Sequence, residues 1–312
     1  LRHKMPDKAP LFIGIDQEGG RISRLSQPFT SFPPARALGD LDSTSLTFKS
    51  ALCLGSELHS IGVNLDYAPC IDTLTNPENT LIGDRAFAND PEQVAKMSSA
   101  FVRGLIKAGV VPCAKHFPGH GNTVVDSHKE LPVEDADMER LRSVELIPFK
   151  KAFRARLDVV MTAHIKFPQV DEEWPVTLSP KFMQDILREE LRYRNLIITD
   201  DLDMKALTAH YDVAKIPVQA LKAGCDILLY CNDFSRPPEA LEDVQKGLAD
   251  GELKATRLEE SFQRVMSLKK KKLTQPDPPS WQDAQQVVGH PDHQKLVEAI
   301  QAGEVPEELK QT

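Results

Sequence analysis

The sequence of 312 residues lacks several features that mark whole classes of protein. It has no apolar run of the roughly 18 residues that a membrane-spanning helix needs, and residues 1–10 contain no apolar segment typical of a secretory signal. Basic residues do not outnumber acidic ones, because 38 Lys and Arg stand against 46 Asp and Glu, a net charge of −8. This charge disfavours non-specific electrostatic binding to nucleic acid or anionic membranes, so a small molecule or a neutral polymer is the favoured ligand.

The sequence also lacks any Cys-x-x-Cys pair, and its five cysteines are an odd number. Cys53, Cys113, Cys225 and Cys231 lie in or beside apolar segments, which favours reduced, buried thiols over disulfides. We therefore expect a reducing, cytoplasmic compartment.

What the sequence does contain is a repeated alternation of short apolar runs and longer amphipathic stretches. Near-continuous apolar runs are typical of parallel strands buried on both faces. Two of the amphipathic stretches begin with good helix caps, namely Ser43 and the pair Asp90 and Pro91. The six predicted strands are residues 11–15, 63–67, 110–114, 159–162, 196–199 and 227–230.

Alternating strands and helices predict either a doubly wound sheet or a (β/α) barrel. Reactive residues such as Asp16, His116 and Asp200 follow the apolar runs, and in a barrel those carboxyl ends converge on one face. No Gly-x-Gly-x-x-Gly or Gly-x-x-x-x-Gly-Lys fingerprint supports a doubly wound sheet. We therefore predict an α/β fold of the (β/α)8 TIM-barrel type. Because closure needs eight strands, the first one or two strand-helix units are expected to precede residue 1.

The pattern changes after the last of these strands. Two further helices are predicted, followed by a Pro-rich break at residues 275–280. We divide the chain into a barrel domain, residues 1–273, and a polar tail or small helical appendage, residues 274–312, in which no chemistry is apparent.

The first segment with chemical potential, residues 13–24, ends a strand with two carboxylates, a glycine pair and two arginines. Such a segment offers acceptors for sugar hydroxyls and donors for an anion or a ring oxygen, and a solvated turn is the alternative interpretation. Farther along, Arg85 either clamps a substrate or pairs with its neighbour Asp84.

The second segment, residues 115–121, crowds a lysine and two histidines beside proline and glycine. His116 and His120 have the spacing of a helical zinc pair, but Pro118 and Gly119 between them break the helix that such a pair needs. A hydrogen-bonding site is therefore favoured over a metal site.

Two more groups complete the candidate chemistry. Asp126 and His128 can hydrogen bond, which would orient the imidazole, raise its pKa and make it a general acid/base. Asp200 and Asp201 end an apolar run, as a nucleophile, a metal ligand or a helix cap would. His164 is interpreted as a hydrogen-bonded residue that lines the barrel rather than as a ligand.

Together these segments resemble glycoside hydrolase family 3, in its β-N-acetylglucosaminidase branch. The resemblance spans about residues 11–232, and its most specific part is Lys-His-Phe-Pro-Gly-His-Gly at 115–121 with Asp-Ser-His at 126–128. It also rests on Ile-Asp-Gln-Glu-Gly-Gly-Arg at 15–21, Gly-Asp-Arg-Ala-Phe at 83–87 and Thr-Asp-Asp-Leu-Asp-Met at 199–204. It implies a (β/α) barrel, and the tail has no counterpart in the family pattern.

The resemblance implies that Asp200 is the nucleophile of a retaining mechanism, and that His128, paired with Asp126 on a mobile loop, is the acid/base. The expected reaction releases terminal non-reducing β-linked N-acetylglucosamine from peptidoglycan-derived saccharides. The residues implied to bind that sugar before the scissile bond are Asp16, Arg24, Arg85, Lys115 and His116.

We expect a monomer that uses no metal or cofactor and binds a small carbohydrate rather than nucleic acid or a membrane. Phosphorolysis stays open, because a neutral imidazole repels phosphate less than a carboxylate does. A substrate-assisted hexosaminidase would need an Asp-Glu pair such as Asp171 and Glu172, and a non-catalytic sugar-binding protein is a further alternative. A barrel metallohydrolase would use His116, His120, His128 and Asp200.

Overall fold

The computed structural model describes residues 10–127, 129–273 and 280–310, and its centre is one sheet of six parallel strands. Each strand pairs with the next along the chain. All six overlap the predicted apolar runs, which confirms a parallel α/β fold. The strands are β1 (Gly14–Ile15), β2 (Leu65–Asp66), β3 (Val111–Phe117), β4 (Val159–Thr162), β5 (Leu196–Asp201) and β6 (Ile227–Leu229).

Both faces of the sheet are apolar, as parallel strands covered on both sides require. Val111 and Cys113 of β3 belong to an inner cluster, whereas the next residue, Ala114, belongs to the larger core beneath the helices. The inner cluster collects side chains from Leu65 of β2 to Leu229 of β6, so the sheet is curled. Six of the eight strands that barrel closure needs lie among the described residues, and the complete barrel stays a prediction.

Helices alternate with the strands, and the predicted caps are confirmed. Ser43 accepts a hydrogen bond from the amide of Leu46, and Asp90 accepts one from the amide of Gln93, with Pro91 in the first turn. Between β4 and β5 the chain also forms a π-helix, Lys181–Glu190. The α-helices of the described residues are α1 (Ala35–Asp40), α2 (Thr44–Ser60), α3 (Pro91–Ala108), α4 (Met138–Ser143), α5 (Leu146–Arg154), α6 (Lys205–Thr208), α7 (Ile216–Ala223), α8 (Arg236–Ala249), α9 (Ala255–Lys272), α10 (Trp281–Val287) and α11 (Pro291–Gln301).

Helix α9 packs against the inner cluster of the sheet. Its residues Val265 and Leu268 join that cluster, and Arg257 and Arg264 donate to the buried carboxylate of Asp226, which directly precedes β6. Burial alone would raise the pKa of Asp226, but the surrounding arginines outweigh it and lower the pKa. A charged network therefore fixes α9 at the amino end of the strands, opposite the end that carries the candidate site.

The cysteines are free thiols, as expected. Four of them are buried, but Cys231 is exposed, so its predicted burial is wrong. The reason is local: Cys231 lies two residues beyond the end of β6, where the chain has left the core. None of the described helices has both the length and the apolar character needed to cross a bilayer.

Residues 280–310 pack on the domain rather than extend from it. Helices α10 and α11 contact α2, and apolar side chains of α11 such as Leu296 are buried in the main core. His293 of α11 and Glu57 of α2 form a largely buried pair, with Nδ1 of the imidazole 2.7 Å from Oε1 of the carboxylate. The structure thus shows a helical appendage here, and the domain division itself stays a prediction.

We predict that His293→Ala lowers the free energy of unfolding by about 2 kcal/mol at pH 6, the scale of a hydrogen bond to a charged group. Burial alone would lower the pKa of His293, but its bonds to Cys53 and Glu57 raise it to about 9. The stabilisation is therefore complete below the unfolded pKa of 6.5 and is lost as the pH rises through about 9.

Urea unfolding at pH 6 and pH 9.5 checks this prediction. Lys295→Ala is the control, because Lys295 is exposed and its pair with Asp292, across 3.6 Å, lies at the surface. Equal effects of His293→Ala at the two pH values would contradict the charged pair.

Candidate active site

The carboxyl ends of β1 and β3 bring charged side chains into contact. Asp16 and Glu18 follow β1, and Lys115 lies two residues before the end of β3. Its Nζ lies 2.6 Å from Oδ1 of Asp16 and 2.7 Å from Oε1 of Glu18. The predicted convergence of strand ends therefore holds for two of the residues expected to bind sugar, Asp16 and Lys115.

Lys115 is the buried centre of this cluster. Burial alone would lower the pKa of Lys115, but the carboxylates of Glu18 and Asp16 outweigh it and raise the pKa above its usual value. Lys115 therefore stays protonated at neutral pH. The Asp16 side chain is 36% exposed, against 3% for Lys115, so Asp16 is the member that a solvent-borne hydroxyl can reach.

Arg85 completes the cluster by a two-pronged bond to Glu18. Its Nε lies 2.9 Å from Oε2 and its Nη2 lies 2.8 Å from Oε1. Burial alone would raise the pKa of Glu18, but the charges of Lys115 and Arg85 lower it to about 2. Arg85 thus pairs with Glu18 rather than with Asp84, which instead contacts Arg21. Direct contact of Arg85 with sugar stays a prediction.

His116 is held by Asp72, which lies beyond the end of β2. Nδ1 of His116 lies 2.7 Å from Oδ2 of the fully buried Asp72, and its backbone amide donates to Oδ1. Burial alone would raise the pKa of Asp72, but His116 and His120 lower it well below its usual range. Because the carboxylate accepts the Nδ1 proton, Nε2 is the ring nitrogen of His116 left for a ligand.

Asp200 is the last residue but one of β5, in the same electrostatic field. Burial alone would raise the pKa of Asp200, but His164, His116, the amide of Asp201 and Lys115 lower it. Asp200 is therefore a carboxylate at neutral pH, as a nucleophile must be.

The neighbours of Asp200 fix its backbone. His164 is fully buried, with Nδ1 2.7 Å from the Thr177 hydroxyl and Nε2 2.9 Å from the carbonyl oxygen of Asp201. Burial lowers the pKa of His164, so it is a neutral residue with both nitrogens bonded, as predicted. Asp201 also accepts from the side chain of Asn232 at 2.7 Å, which ties β5 to the segment after β6.

Arg24 lies on a turn that folds back over the end of β1. The side chain of Gln17 donates to the hydroxyl of Ser23 and accepts from the amide of Arg24, while its own backbone amide donates to Asp66. The Arg24 side chain is exposed, and within the part of the chain that the structure describes it has no acidic partner. It is therefore a free cation at the rim of the site, and its sugar contact stays a prediction.

The loop after β3 carries the predicted acid/base pair. Asp126 is described, and its carboxylate lies 3.7 Å from Nζ of Lys129, whereas His128 lies outside the described residues. Asp126 also lines a cavity of about 490 Å³, together with Val124 of the same loop and Arg21 across from it. The pairing of Asp126 with His128 stays a prediction.

A metal site does not fit the donor atoms present. Among the residues that the structure describes, Cys70, Asp72 and His116 form the group with suitable spacing. Their atoms already satisfy one another, because Oδ2 of Asp72 accepts from both the Cys70 thiol and the His116 ring. Burial raises the pKa of Cys70 well above its usual value, so it is a thiol rather than a thiolate ligand. Both ring nitrogens of His120 are bonded to hydroxyls, so neither is left to bind a metal.

Asp171 does not offer a catalytic carboxyl group. It is buried, its Oδ1 accepts from the amides of Glu173 and Trp174, and its Oδ2 accepts from the Ser179 hydroxyl. The carboxylate of Asp171 organises this turn instead of facing solvent. The substrate-assisted alternative therefore loses its candidate pair.

Two residues central to the geometry, Glu18 and Asp72, were not among the predicted site residues. Glu18 lies two residues beyond Asp16, so alternation along an extended chain places it on the same face, and this signal could have identified it. Asp72 follows the apolar run of β2, so the strand-end rule that selected Asp200 identifies it as well.

A curled parallel sheet whose carboxyl ends gather an ionised aspartate, a buried lysine and a histidine defines an enzyme site suited to a polyhydroxylated substrate. Comparison with known proteins agrees. The model of the glycosyl hydrolase family 3 N-terminal domain matches residues 1–268. The chain belongs to glycosyl hydrolase family 3 and is thus a glycoside hydrolase, which confirms the resemblance.

Curated relatives of this chain carry the name beta-hexosaminidase. The protein from Idiomarina loihiensis is 36% identical over 289 residues, which cover 88% of this chain and 82% of that protein. The protein from Pseudomonas aeruginosa is 38% identical over 247 residues, 79% of this chain and 73% of that protein.

Solved structures resemble the fold closely. The family 3 β-N-acetylglucosaminidase from Paenibacillus sp. FPU-7 superposes with a TM-score of 0.89 at 36% identity, over 95% of this chain and 56% of that one. The β-glucoside phosphorylase BglX gives a TM-score of 0.86 at 29% identity, over 94% of this chain and 54% of that one. The chain spans little more than half the length of these two structures.

We predict that Arg85→Met costs about 3 kcal/mol or more in the free energy of unfolding at pH 7, because it leaves a buried carboxylate short of a cation. Arg21→Met is the matched control: its pair with Asp84 is exposed, so a loss of about 1 kcal/mol is expected.

The pH dependence follows from Glu18, whose pKa falls from 4.5 unfolded to about 2 folded. Its stabilisation is complete above 4.5 and is lost as the pH falls towards 2, so the gap between wild type and Arg85→Met narrows over that range. Equal losses from the two arginine variants would contradict the buried network.

Proposed function

We propose that this chain is a retaining β-N-acetylglucosaminidase that releases terminal non-reducing N-acetylglucosamine from peptidoglycan-derived saccharides. Asp200 is the nucleophile, and His128, paired with Asp126, is the acid/base. The observation that carries the proposal is the ionised Asp200 at the end of β5, in the electrostatic field of Lys115 and His116. In the proposed mechanism, the anomeric carbon lies over this carboxylate.

The chemistry needs two groups on opposite sides of that carbon. Asp200 attacks it to form a glycosyl ester while His128 protonates the departing oxygen, and His128 then removes a proton from water to release the sugar. Support comes from the low pKa of Asp200 and from the position of Asp126 on a separate loop after β3. Because the usual pKa of a histidine side chain lies near neutrality, a protonated imidazole can donate the proton in the first step and the resulting neutral ring can accept one from water in the second.

The sugar-binding roles follow from the polar atoms of each side chain that are still able to bind a ligand. Asp16 is accessible as an acceptor for a hydroxyl, and its ion pair with Lys115 holds it in place. Nε2 of His116 and the exposed guanidinium of Arg24 add further polar groups, whereas Arg85 is paired with Glu18. These groups suit a polyol with several hydroxyls rather than an apolar ligand.

The N-acetyl specificity rests on the names of the relatives, β-hexosaminidase and β-N-acetylglucosaminidase. We further propose that the substrates are peptidoglycan fragments and that the protein acts as a monomer. Its place in the cell would be the cytoplasm, where it would serve recycling of those fragments. The free thiols of all five cysteines favour such a reducing compartment.

Phosphorolysis is the second candidate reaction, because BglX, a β-glucoside phosphorylase, shares the fold at 29% identity. An imidazole base carries no negative charge, so it repels an incoming phosphate less than a carboxylate does. Phosphate would then replace water as the acceptor, and the product would be a sugar 1-phosphate.

We predict that Asp200→Ala lowers kcat/KM on p-nitrophenyl N-acetyl-β-glucosaminide by at least about 10³-fold, since it removes the nucleophile. We expect His128→Ala to lower kcat on the same glycoside by about 10²-fold or more. Asp185→Ala is the control, because this aspartate is exposed on the π-helix and we expect wild-type rates.

The same assay separates the alternatives. NMR of the first product identifies retention of the anomeric configuration, and added phosphate distinguishes free sugar from sugar 1-phosphate. Near-wild-type turnover by Asp200→Ala or His128→Ala, or faster turnover of the aryl β-glucoside than of the N-acetyl compound by the wild-type protein, would reject the proposal.

A further inference from the structure

We propose that Asp72, His120 and Ser127 form a clasp, a chain of buried hydrogen bonds that stabilises the observed position of the loop after β3 relative to His116 and the nucleophile strand. The inference rests on the proposed function, because that loop carries Asp126 and the proposed acid/base. The three residues act as positioning residues and touch no substrate themselves.

Asp72 is the fixed end of the clasp. Its Oδ1 accepts from the backbone amide of His116 at 3.1 Å and from that of His120 at 2.7 Å, and its Oδ2 accepts from the His116 ring. One fully buried carboxylate thus fixes the position of the proposed sugar-binding residue His116 and that of the start of the loop. Because a buried anion needs several donors, a displacement of either histidine leaves the charge of Asp72 under-satisfied.

His120 is the link between Asp72 and the loop. Its Nδ1 lies 2.7 Å from Oγ1 of Thr123 and its Nε2 lies 3.1 Å from Oγ of Ser127. Burial, together with the neighbouring His116, lowers the pKa of His120 to about 4, so the His120 ring is neutral at pH 7. A neutral imidazole has one donor and one acceptor nitrogen, and hydroxyl groups can serve both.

Burial along the loop identifies these bonds as its anchors. Of the described residues between 122 and 130, Thr123 and Ser127 are the buried ones, and both bond to His120, whereas Val124 is 72% exposed. The backbone oxygen of Ser127 also accepts from the amide of Ala206, in the helix that follows β5. Ser127 therefore contacts both the His116 side and the nucleophile side, and His128 is the next residue along the chain.

The consequence concerns proton transfer rather than sugar binding. If the clasp holds the loop in register, its loss misplaces the acid/base, and a misplacement of about 1 Å can cost about 100-fold in rate. The cost falls on substrates whose leaving group needs a proton. A purely structural defect would affect all substrates alike.

The test compares two glycosides in wild type and Ser127→Ala. N,N′-diacetylchitobiose has a sugar leaving group that needs protonation, whereas the 2,4-dinitrophenyl N-acetyl-β-glucosaminide does not. The ratio kcat/KM reports steps only up to glycosyl-enzyme formation, so the later need for a base does not obscure it. We expect kcat/KM to fall by about 100-fold on the disaccharide and by less than about 3-fold on the aryl compound.

Thr123→Val, which removes the other hydroxyl bonded to His120, is expected to show the same pattern. Ser26→Ala removes an exposed hydroxyl from a different loop and is expected to match wild type on both glycosides. Equal losses on the two glycosides, or no loss on either for Ser127→Ala, would overturn the clasp.

Amide hydrogen exchange over residues 121–127 provides a readout that needs no activity. We expect faster exchange in Ser127→Ala than in wild type, and equal exchange would overturn the clasp. If the wild-type protein hydrolyses neither glycoside, the proposed function fails by itself, and the exchange comparison still decides whether the bond holds the loop.

Discussion

The buried ammonium group of Lys115 is the constraint on which the site depends. A cation that is only 3% exposed persists only if anions accompany it, and both come from the turn after β1, as Asp16 and Glu18. Arg85 then supplies a second cation, so two positive and two negative charges balance within one cluster. Because each member needs the others, the ends of β1 and β3 and the segment around Arg85 are fixed relative to one another before any substrate arrives. Asp200 adds a further negative charge, and the adjoining polarity of His164 and His116 keeps it ionised.

Charge is confined to the two ends of the sheet, and the strands between them are apolar. At the amino end, Asp226 gathers arginines from α9, and at the carboxyl end Lys115 gathers carboxylates. Between these networks, the inner cluster packs residues of five strands against Val265 and Leu268 of α9. Helix α9 is thus held against the amino end of the sheet by ion pairs to Asp226 and Asp158 and by the apolar contacts of Val265 and Leu268. This arrangement leaves the carboxyl ends free to carry chemistry.

Sequence patterns were sufficient for the strands, because a two-sided apolar environment demands near-continuous apolar runs, and for the caps Ser43 and Asp90, because capping is a local interaction. They also located Asp16, Lys115 and Asp200 at strand ends. They could not say which carboxylate pairs with which cation, since the pairing of Arg85 with Glu18 joins residues 67 positions apart. The packing of α11 on α2 could not be predicted from the sequence either, because a helix with few apolar residues does not indicate which element it packs against.

The groups of the proposed reaction differ in how they are held, and the difference matches their tasks. Asp200 belongs to strand β5. The next residue, Asp201, is bonded to both His164 and Asn232, so the sheet sets the position of Asp200. Asp126 belongs to a loop that the core holds through few buried side chains. A nucleophile must stay beneath one carbon throughout a retaining reaction, whereas the acid/base must serve first a departing oxygen and then a water molecule. A strand provides the first kind of placement, and a loop fixed at a few hydrogen bonds allows the second.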